Sequence, residues 1–173
     1  LFDFETGAVI RNYALAGVFA YADMAQFNAD GSRIVATFTD ESTTFAAVID
    51  TESGDIVRLF EEPVDFSQAE RLIAAAAFSV DGRYLFYGSS NVDTPVIMAD
   101  ISTGETVRTF RGMGDTINAI AVSADGVYLA AGGFDRTAVV WDVESGAQVA
   151  RFRSNDKIWA LDFSPDNTLL VTA

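Results

Sequence analysis

The sequence predicts an all-β chain of repeated antiparallel strand units, because one complete unit can be recognised and its parts recur. The complete unit is Ser123–Gly146, in which three turn sequences alternate with two short apolar runs. Turn, strand, turn, strand, turn at this spacing is typical of an antiparallel meander. Periods of roughly 20–50 residues identify repeat architectures, so the fold depends on whether this unit recurs.

Two motifs recur four times each along the chain. The first is LFDFETG, VIDTESG, MADISTG and VWDVESG, whose aspartates are Asp3, Asp50, Asp100 and Asp142, at spacings of 47, 50 and 42 residues. The second is a turn, NADGSRIVATF, SVDGRYLFYG, SADGVYLAAGG and SPDNTLLVTA, which starts at residues 28, 79, 123 and 164. Because the two motifs keep step along the whole chain, they define a repeat.

This repeat resembles that of the WD-repeat β-propellers, especially their divergent bacterial kind. The residues that carry the resemblance are Ser164-Pro165-Asp166, the Asp-Gly turns, Phe134-Asp135-Arg136-Thr137 and Trp141-Asp142. It covers essentially all 173 residues. A resemblance to so broad a family is strong for the fold and says little about function.

The chain departs from the family in having no histidine, so the Gly-His dipeptide of a typical repeat is missing. The family's Asp–His–Ser/Thr–Trp hydrogen-bond network therefore cannot form, although Asp135 and Trp141 occupy two of its places. Whether these two side chains still bond stays open. Our hypothesis is that packing between blades holds the ring, so that Asp135→Ala costs no more than about 1 kcal/mol.

The resemblance implies blades of four antiparallel strands, named a to d from the central channel outward. The predicted fold class is thus an all-β β-propeller segment with three whole blades and half a blade at each end. The predicted divisions are residues 1–15 (strands c and d), 16–60, 61–110 with an acidic linker at 61–70, 111–153, and 154–173 (strands a and b). The predicted strands include Leu1–Phe4, Ala8–Ala14, Val18–Phe27, Asp55–Phe60, Leu72–Phe78, Ile158–Phe163 and Thr168–Ala173.

The two half blades have three physical solutions. An unpaired strand b ending in Leu169–Ala173 would be an open apolar edge, which favours aggregation. The chain could close into a four-bladed ring, two chains could exchange halves into an eight-bladed homodimer, or the chain could be an excerpt of a longer propeller. The start within a blade, without an initiator Met, favours the excerpt.

Composition narrows the partners of the chain. Eleven basic against 25 acidic residues give a net charge of −14, and such a surface repels nucleic acid and anionic lipid. A protein partner, with a basic surface as one option, is compatible with this charge. No run approaches the roughly 20 apolar residues of a membrane span. The absence of cysteine leaves the compartment open, with a slight preference for the cytoplasm.

Side chains suited to catalysis are scarce. The chain has neither His nor Cys, which removes the commonest catalytic bases and thiol nucleophiles. Asp30, Asp81, Asp125 and Asp166 occupy equivalent turns, and a tight Asp-Gly turn explains them without a metal. We therefore expect no enzyme activity, no cofactor and no metal site. Structural roles in the turns and repeat are predicted for Asp125, Gly126, Asp135, Trp141 and Asp142.

The resemblance also selects candidate partner-binding residues. In WD-repeat propellers, partners dock on the face formed by the d–a and b–c loops, near the central channel. Positions on this face are Asp23, Asn118 and Trp159 just inside strand a, and Val92 and Phe134 beside the b–c turns. Trp159 and Phe134 could form an aromatic anchor for a partner. The alternative is that Trp159 packs between blades and Phe134 packs against a neighbouring loop.

The outer strands carry Arg11, Arg58, Arg108 and Arg151, four or five residues after a turn glycine. A basic rim of this kind could hold an anion. The abundant carboxylates nearby favour instead surface ion pairs, each worth about 0–1 kcal/mol.

The predicted function is a non-catalytic scaffold for protein–protein binding, as part of a larger bacterial protein. The alternative is a propeller whose missing blades complete an enzymatic or ligand-binding site in the channel. A purely structural domain beside a catalytic or signalling module is a third option.

Overall fold

The computed structural model describes residues 1–13, 21–39, 43–63, 75–88 and 95–173, without the side chains of Tyr21 and Pro63. The regular elements in these ranges are β-strands. They are β1 (Tyr21–Phe27), β2 (Arg33–Thr39), β3 (Thr43–Asp50), β4 (Ile56–Pro63), β5 (Ala76–Phe78), β6 (Tyr84–Gly88), β7 (Val96–Asp100), β8 (Thr106–Phe110), β9 (Ile117–Val122), β10 (Tyr128–Gly133), β11 (Thr137–Asp142), β12 (Gln148–Arg153), β13 (Leu161–Phe163) and β14 (Leu170–Thr172). Among the described residues there is no helix with the length and apolar character to cross a membrane.

Within each sheet, strands adjacent in sequence are paired with one another. The first sheet is β1–β4, the second is β5–β8 and the third is β9–β12, and β13 and β14 form a terminal hairpin. All pairings between these strands are antiparallel. At the other end of the chain, an isolated antiparallel bridge joins Phe2 to Val9. The predicted fold class, three four-stranded units with half a unit at each end, is confirmed.

Several strands differ from the predicted bounds. Leu1–Phe4 and Ala8–Ala14 contribute one bridge rather than two strands within the described residues. β4 runs on through Glu61 and Glu62 to Pro63, because these residues continue to pair with Thr43–Phe45 of β3. The predicted linker thus begins inside a strand, and residues 64–70 lie outside the described part. The predicted division of the chain into blades stays a prediction.

The core lies between the sheets rather than within any one of them. The central strands are buried on both faces, as in β7, where all five residues are buried. Between the first and second sheets, Phe60 packs on Tyr87 with ring centroids 5.4 Å apart. Between the second and third, Phe110 contacts Phe86 at 6.1 Å and Trp141 at 6.0 Å. Each large side chain buried in this way contributes about 1.5–3 kcal/mol.

The outer-strand arginines hold neighbouring sheets together, and the expectation of surface ion pairs is wrong for two of them. Arg11 donates to the carbonyl oxygens of Glu52 and Ser53 in the turn between β3 and β4. Arg58 donates from Nε to the Ile101 carbonyl at 3.0 Å, and also to the Ser102 carbonyl, in the equivalent turn of the next sheet. The C-terminal carbonyls of a tight turn are strong acceptors for guanidinium donors.

Arg108 and Arg151 complete the comparison. A Cβ added at Gly146 would lie 3.1 Å from Arg108 Cδ and Nη1, so Arg108 covers the turn of the third sheet in the same manner. Arg151 is not equivalent: it pairs with Val139, whereas Arg108 pairs with Met98, whose counterpart in the third sheet is Val140. A shift of one residue turns a strand side chain to the other face, and Arg151 donates to the Gly112 carbonyl.

Aspartates at the ends of the third strands organise the turns that follow. The Asp100 carboxylate accepts hydrogen bonds from the backbone N–H and hydroxyl of Ser102 at 2.8 and 2.5 Å, and from Arg83 Nε at 3.1 Å. The Ser102 hydroxyl, followed by Arg83, lowers the pKa of Asp100 to about 2. In the third sheet, the Ser145 hydroxyl and backbone N–H lower the pKa of Asp142 in the same way.

Arg58→Ala tests the arginine bridge between the first and second sheets. Loss of two charge-assisted hydrogen bonds to turn carbonyls should lower the free energy of unfolding by about 1–2 kcal/mol, measured by urea denaturation. Val57→Ala removes an adjacent side chain that is exposed and should cost less than about 0.5 kcal/mol. Equal losses in the two variants would show that the arginine does not bridge the sheets.

Acid titration tests the bonded state of Asp100. Its pKa of about 2 in the folded chain lies below the pKa of about 3.9 of an unfolded aspartate. The stability that Asp100 contributes is therefore complete above about pH 4 and lost as the pH falls towards 2. The difference in urea midpoint between the wild type and Asp100→Asn should narrow over this interval. Parallel pH profiles would contradict the assignment.

Candidate functional site

In the third sheet, the turn between β10 and β11 lies between the segment that leads into β9 and the segment that leaves β12. This turn, residues 134–136, joins β10 to β11, while residues 111–116 lead into β9 and residues 154–160 lead from β12 into β13. The Phe134 N–H donates to the Thr116 carbonyl at 3.0 Å, and the Ser154 N–H donates to the Arg136 carbonyl at 2.8 Å. We call these three segments the loop face. It is the face formed by b–c and d–a loops in the predicted numbering of strands.

Two glycines allow these backbones to approach closely. A Cβ at Gly133 would lie 2.1 Å from the Thr116 carbonyl oxygen, and a Cβ at Gly132 would lie 2.5 Å from Ile158 Cγ2. Real Cβ contacts are not that short, so only glycine fits at these positions. The Ile158 N–H then reaches the Gly133 carbonyl at 3.1 Å. The position of the turn is therefore fixed by backbone contacts on both sides.

Phe134 and Trp159 meet on the loop face. Their ring centroids are 5.2 Å apart with an interplanar angle of 69°, an edge-to-face arrangement. Trp159 is 63% exposed, in contrast to Trp141, which is fully buried in the core. Aromatic pairs of this geometry gain about 0.5–1.5 kcal/mol beyond the area that they bury. The pair is thus an ordered aromatic surface that remains open to solvent.

Lys157 was not among the predicted site residues, yet it completes this cluster. Its Nζ lies 4.0 Å from the Phe134 ring centroid, a cation–π contact. The sequence held an indication of it: Lys157 is the only lysine of the chain and stands two positions before Trp159. Residues two apart in an extended segment point to the same side.

The other predicted binding residues are not brought into this cluster. Asn118 donates from its side-chain amide to the Ile158 carbonyl at 3.1 Å, which joins the third sheet to the terminal hairpin. Asp23 is exposed at an irregularity in the pairing of β1 with β2. Partial loss of solvent raises the pKa of its carboxyl. Val92 lies outside the described residues.

A different network stands where the histidine network would be. Trp141 Nε1 donates to the Arg111 carbonyl at 2.9 Å, and Asp135 accepts from the Gly114 N–H at 2.8 Å. Asp135 also accepts from the backbone N–H and hydroxyl of Thr137. Arg151 lies 3.7 Å from the same carboxylate and donates to the Gly112 carbonyl at 2.6 Å.

The backbone of residues 111–114 thus takes the place of the missing side chain. Asp135 and Trp141 are linked through this loop rather than to one another, and Met113 of the loop is buried in the core. Three hydrogen bonds and the buried Met113 side chain fix the loop beside the turn. The structure therefore adds hydrogen bonds to the packing at this position, and the hypothesis that packing alone holds these elements stays a prediction.

The remaining predicted turn residues serve their own hairpins. Asp125 accepts from the Ser123 hydroxyl at 2.6 Å and the Val127 N–H at 3.0 Å, and the Ser123 hydroxyl lowers its pKa. Gly126 has a φ of 75°, a left-handed conformation. In the described ranges, no three His, Cys, Asp or Glu side chains are grouped as a metal site would require.

A cavity of about 430 Å³ lies at the opposite end of the first strands of the sheets. Its wall includes Gln26, Phe78, Ile120 and Leu161, one from each of β1, β5, β9 and β13. Asp162 is the one charged side chain among its described lining residues. The cavity thus offers one charged side chain for binding a ligand, whereas the loop face has an aromatic pair with a cation, so the loop face is the stronger candidate site.

Part of the chain matches the model of a known protein family. The family model for the WD domain, G-beta repeat, matches residues 104–142 and 146–173. These ranges contain β9–β12, the loop-face turn and the terminal hairpin.

Curated relatives match over part of the chain. Eukaryotic translation initiation factor 3 subunit I of Phaeosphaeria nodorum is 29% identical over 109 residues, 63% of this chain and 32% of that protein. Small ribosomal subunit protein RACK1 of Neurospora crassa is 31% identical over 101 residues, 58% of this chain and 32% of that protein. The matched stretches span about a third of the length of these relatives.

Solved structures show the same fold. A chain in the crystal structure of the mitotic checkpoint complex superposes with a TM-score of 0.81 at 19% identity, over 99% of this chain and 51% of that chain. The β-propeller domain of Myceliophteria thermophila Cps50 (Swd1) gives a TM-score of 0.54 at 23% identity, over 57% of this chain and 31% of that chain.

Asp135→Ala tests the network that replaces the histidine. It removes hydrogen bonds from Gly114 and Thr137 and leaves Arg151 without its carboxylate, so it should cost about 2–3 kcal/mol rather than about 1 kcal/mol. Asp156→Ala is the control, because the exposed Asp156 carboxylate bonds the neighbouring Lys157 N–H; it should cost under about 0.5 kcal/mol. A loss for Asp135→Ala as small as that of the control, in urea denaturation, would contradict the network.

Proposed function

We propose that this chain, whose residues 104–142 and 146–173 match the WD-repeat family model, is a WD-repeat β-propeller protein and acts as a non-catalytic scaffold whose loop face binds a protein partner. The observation that carries the proposal is the aromatic pair formed by the half-buried Phe134 and the exposed Trp159. Tryptophan is among the residues that most often dominate the binding energy of protein interfaces. A rigid aromatic side chain loses little conformational entropy when a partner covers it.

The named relatives support a scaffold. They are described as a subunit of an initiation factor, a protein of the small ribosomal subunit and a chain of the mitotic checkpoint complex. Each of these names refers to a component of a larger assembly. The proposal contains no catalytic step, because the chain offers neither His nor Cys as base or nucleophile.

The charge of the partner, the bacterial origin and the longer parent protein are proposed from the charge and the sequence of the chain alone. The net charge of −14 favours a basic counterpart where a partner spreads over the acidic parts of the surface. A bacterial origin and membership of a longer protein stay predictions, and the relatives named above are eukaryotic.

A homodimer by exchange of half blades is a further proposal. Leu169 and Val171 at the terminal hairpin, and Phe2 and Phe4 at the other end, are exposed apolar side chains that strand pairing would cover. Light scattering after size exclusion measures this directly. Exchange predicts a single species of twice the chain mass of 18.6 kDa, and a stable species at the chain mass itself would contradict it.

Trp159→Ala tests the binding proposal. The purified chain should retain one defined protein from an extract of its source cells, and Trp159→Ala should weaken that complex at least tenfold, as for an interface hot spot. Val149→Ala removes another exposed apolar side chain, on β12, and should leave binding unchanged.

The two variants must both melt cooperatively for the comparison to hold. Quantitative mass spectrometry of the retained proteins, followed by titration of the purified partner, gives the affinity ratio. Equal affinity of Trp159→Ala and the wild type would contradict a role for the aromatic pair.

A further inference from the structure

The loop face differs in charge from the rest of the chain. The loop face and the last three residues of β12, together residues 111–116, 134–136 and 151–160, hold five cationic side chains and three carboxylates. The remaining residues hold six cationic side chains against 22 carboxylates. The segments that carry the aromatic pair, which we call the positive area, therefore have a net positive charge on a chain that is otherwise strongly acidic.

Within this positive area, the cations that border the aromatic pair are exposed. Lys157 is exposed while it contacts the Phe134 ring. Arg136, in the turn, and Arg153, at the end of β12, are also exposed. The Asp135 carboxylate accepts hydrogen bonds from Gly114 and Thr137 and forms an ion pair with Arg151. The negative charge of Asp135 is therefore already paired within the protein, whereas the ammonium group of Lys157 is exposed to solvent.

We propose that the loop face binds an acidic peptide segment that places an apolar side chain against Trp159 and its carboxylates beside Lys157, Arg136 and Arg153. This inference rests on the proposed function and adds the chemistry of the partner. Complementary charge steers such a segment to the face and orients it. The aromatic pair supplies the apolar anchor, and the surrounding acidic surface repels the same segment elsewhere.

The arrangement also explains why the pair is held rigidly. The Lys157 cation covers one face of Phe134 and the Trp159 ring approaches its edge. Backbone hydrogen bonds from Phe134 to Thr116 and from Ile158 to Gly133 fix the segments that carry these residues. A segment that docks here therefore meets a surface that is already formed.

Selection from a phage-displayed library of random 12-residue peptides tests the inference with the purified chain. Peptides enriched on the wild type relative to Trp159→Ala should carry a net negative charge and at least one large apolar residue. The consensus peptide is then synthesised with a fluorophore, and its affinity is measured by fluorescence anisotropy at 50 and 300 mM salt.

Charge-reversal variants sharpen the result. Lys157→Glu should weaken the consensus peptide at least tenfold, and Lys157→Arg should bind within about twofold of the wild type. Arg33→Glu is the matched control, because it changes the net charge of the chain equally. Arg33 lies at the start of β2 in the first sheet, outside the loop face, and donates to the Gly82 carbonyl. Higher salt should weaken binding to the wild type more than binding to Lys157→Glu.

The outcomes separate the two proposals. Neutral or basic peptides that still depend on Trp159 would overturn the acidic specificity and leave the scaffold proposal intact. The same conclusion follows if Lys157→Glu binds the acidic consensus as well as the wild type does. A library that yields no Trp159-dependent peptide would overturn both proposals.

Discussion

Burial between sheets is the interaction on which the rest of the structure depends. The central strands have apolar side chains on both faces, so no sheet can bury its own hydrophobic surface, and each needs a neighbour. The Phe86, Phe110 and Trp141 rings show this most clearly, since Phe110 contacts Phe86 of its own sheet and Trp141 of the third sheet. Repeat proteins of this kind gain much of their stability from interfaces between neighbouring units.

Stacking of the sheets also creates the candidate site. Because each sheet lies against the next, the turn of the third sheet falls between the connections that enter and leave that sheet. Gly133 lets its backbone reach the Thr116 carbonyl, and Ile158 then bonds to Gly133 from the other side. Phe134 and Trp159, 25 residues apart in sequence, meet as a consequence. The polar network of Asp135 is secondary to this packing but fixes the neighbouring loop.

The sequence predicted the fold well because its information is local and repeated. Asp-Gly turns and the aspartate before each third turn set the register of every hairpin, and apolar runs between them set the strands. Repeat register also put Trp159 and Phe134 on one face. The interactions that were not predicted involve backbone acceptors or, for Lys157, an aromatic ring, and the positions of these groups depend on the tertiary fold.

Three residues illustrate the limit. Arg58 was expected to pair with carboxylates, yet turn carbonyls of the next sheet lie closer. Trp141 bonds to a loop carbonyl that no side-chain motif encodes. Lys157 takes part in the aromatic cluster through a ring face rather than through charge pairing. In each case the side chain contacts a backbone carbonyl or a ring face, and the sequence does not indicate which of the many such groups lies within reach.

Native-state hydrogen exchange of the wild type and Phe110→Ala tests the central claim, that burial between sheets holds the chain together. Phe110→Ala removes a ring shared by the second and third sheets, so the amides of β6, β7, β10 and β11 should lose protection together and by the same free energy. Loss of protection confined to the second sheet, with β10 and β11 unchanged, would show that each sheet is stable by itself and would contradict the account.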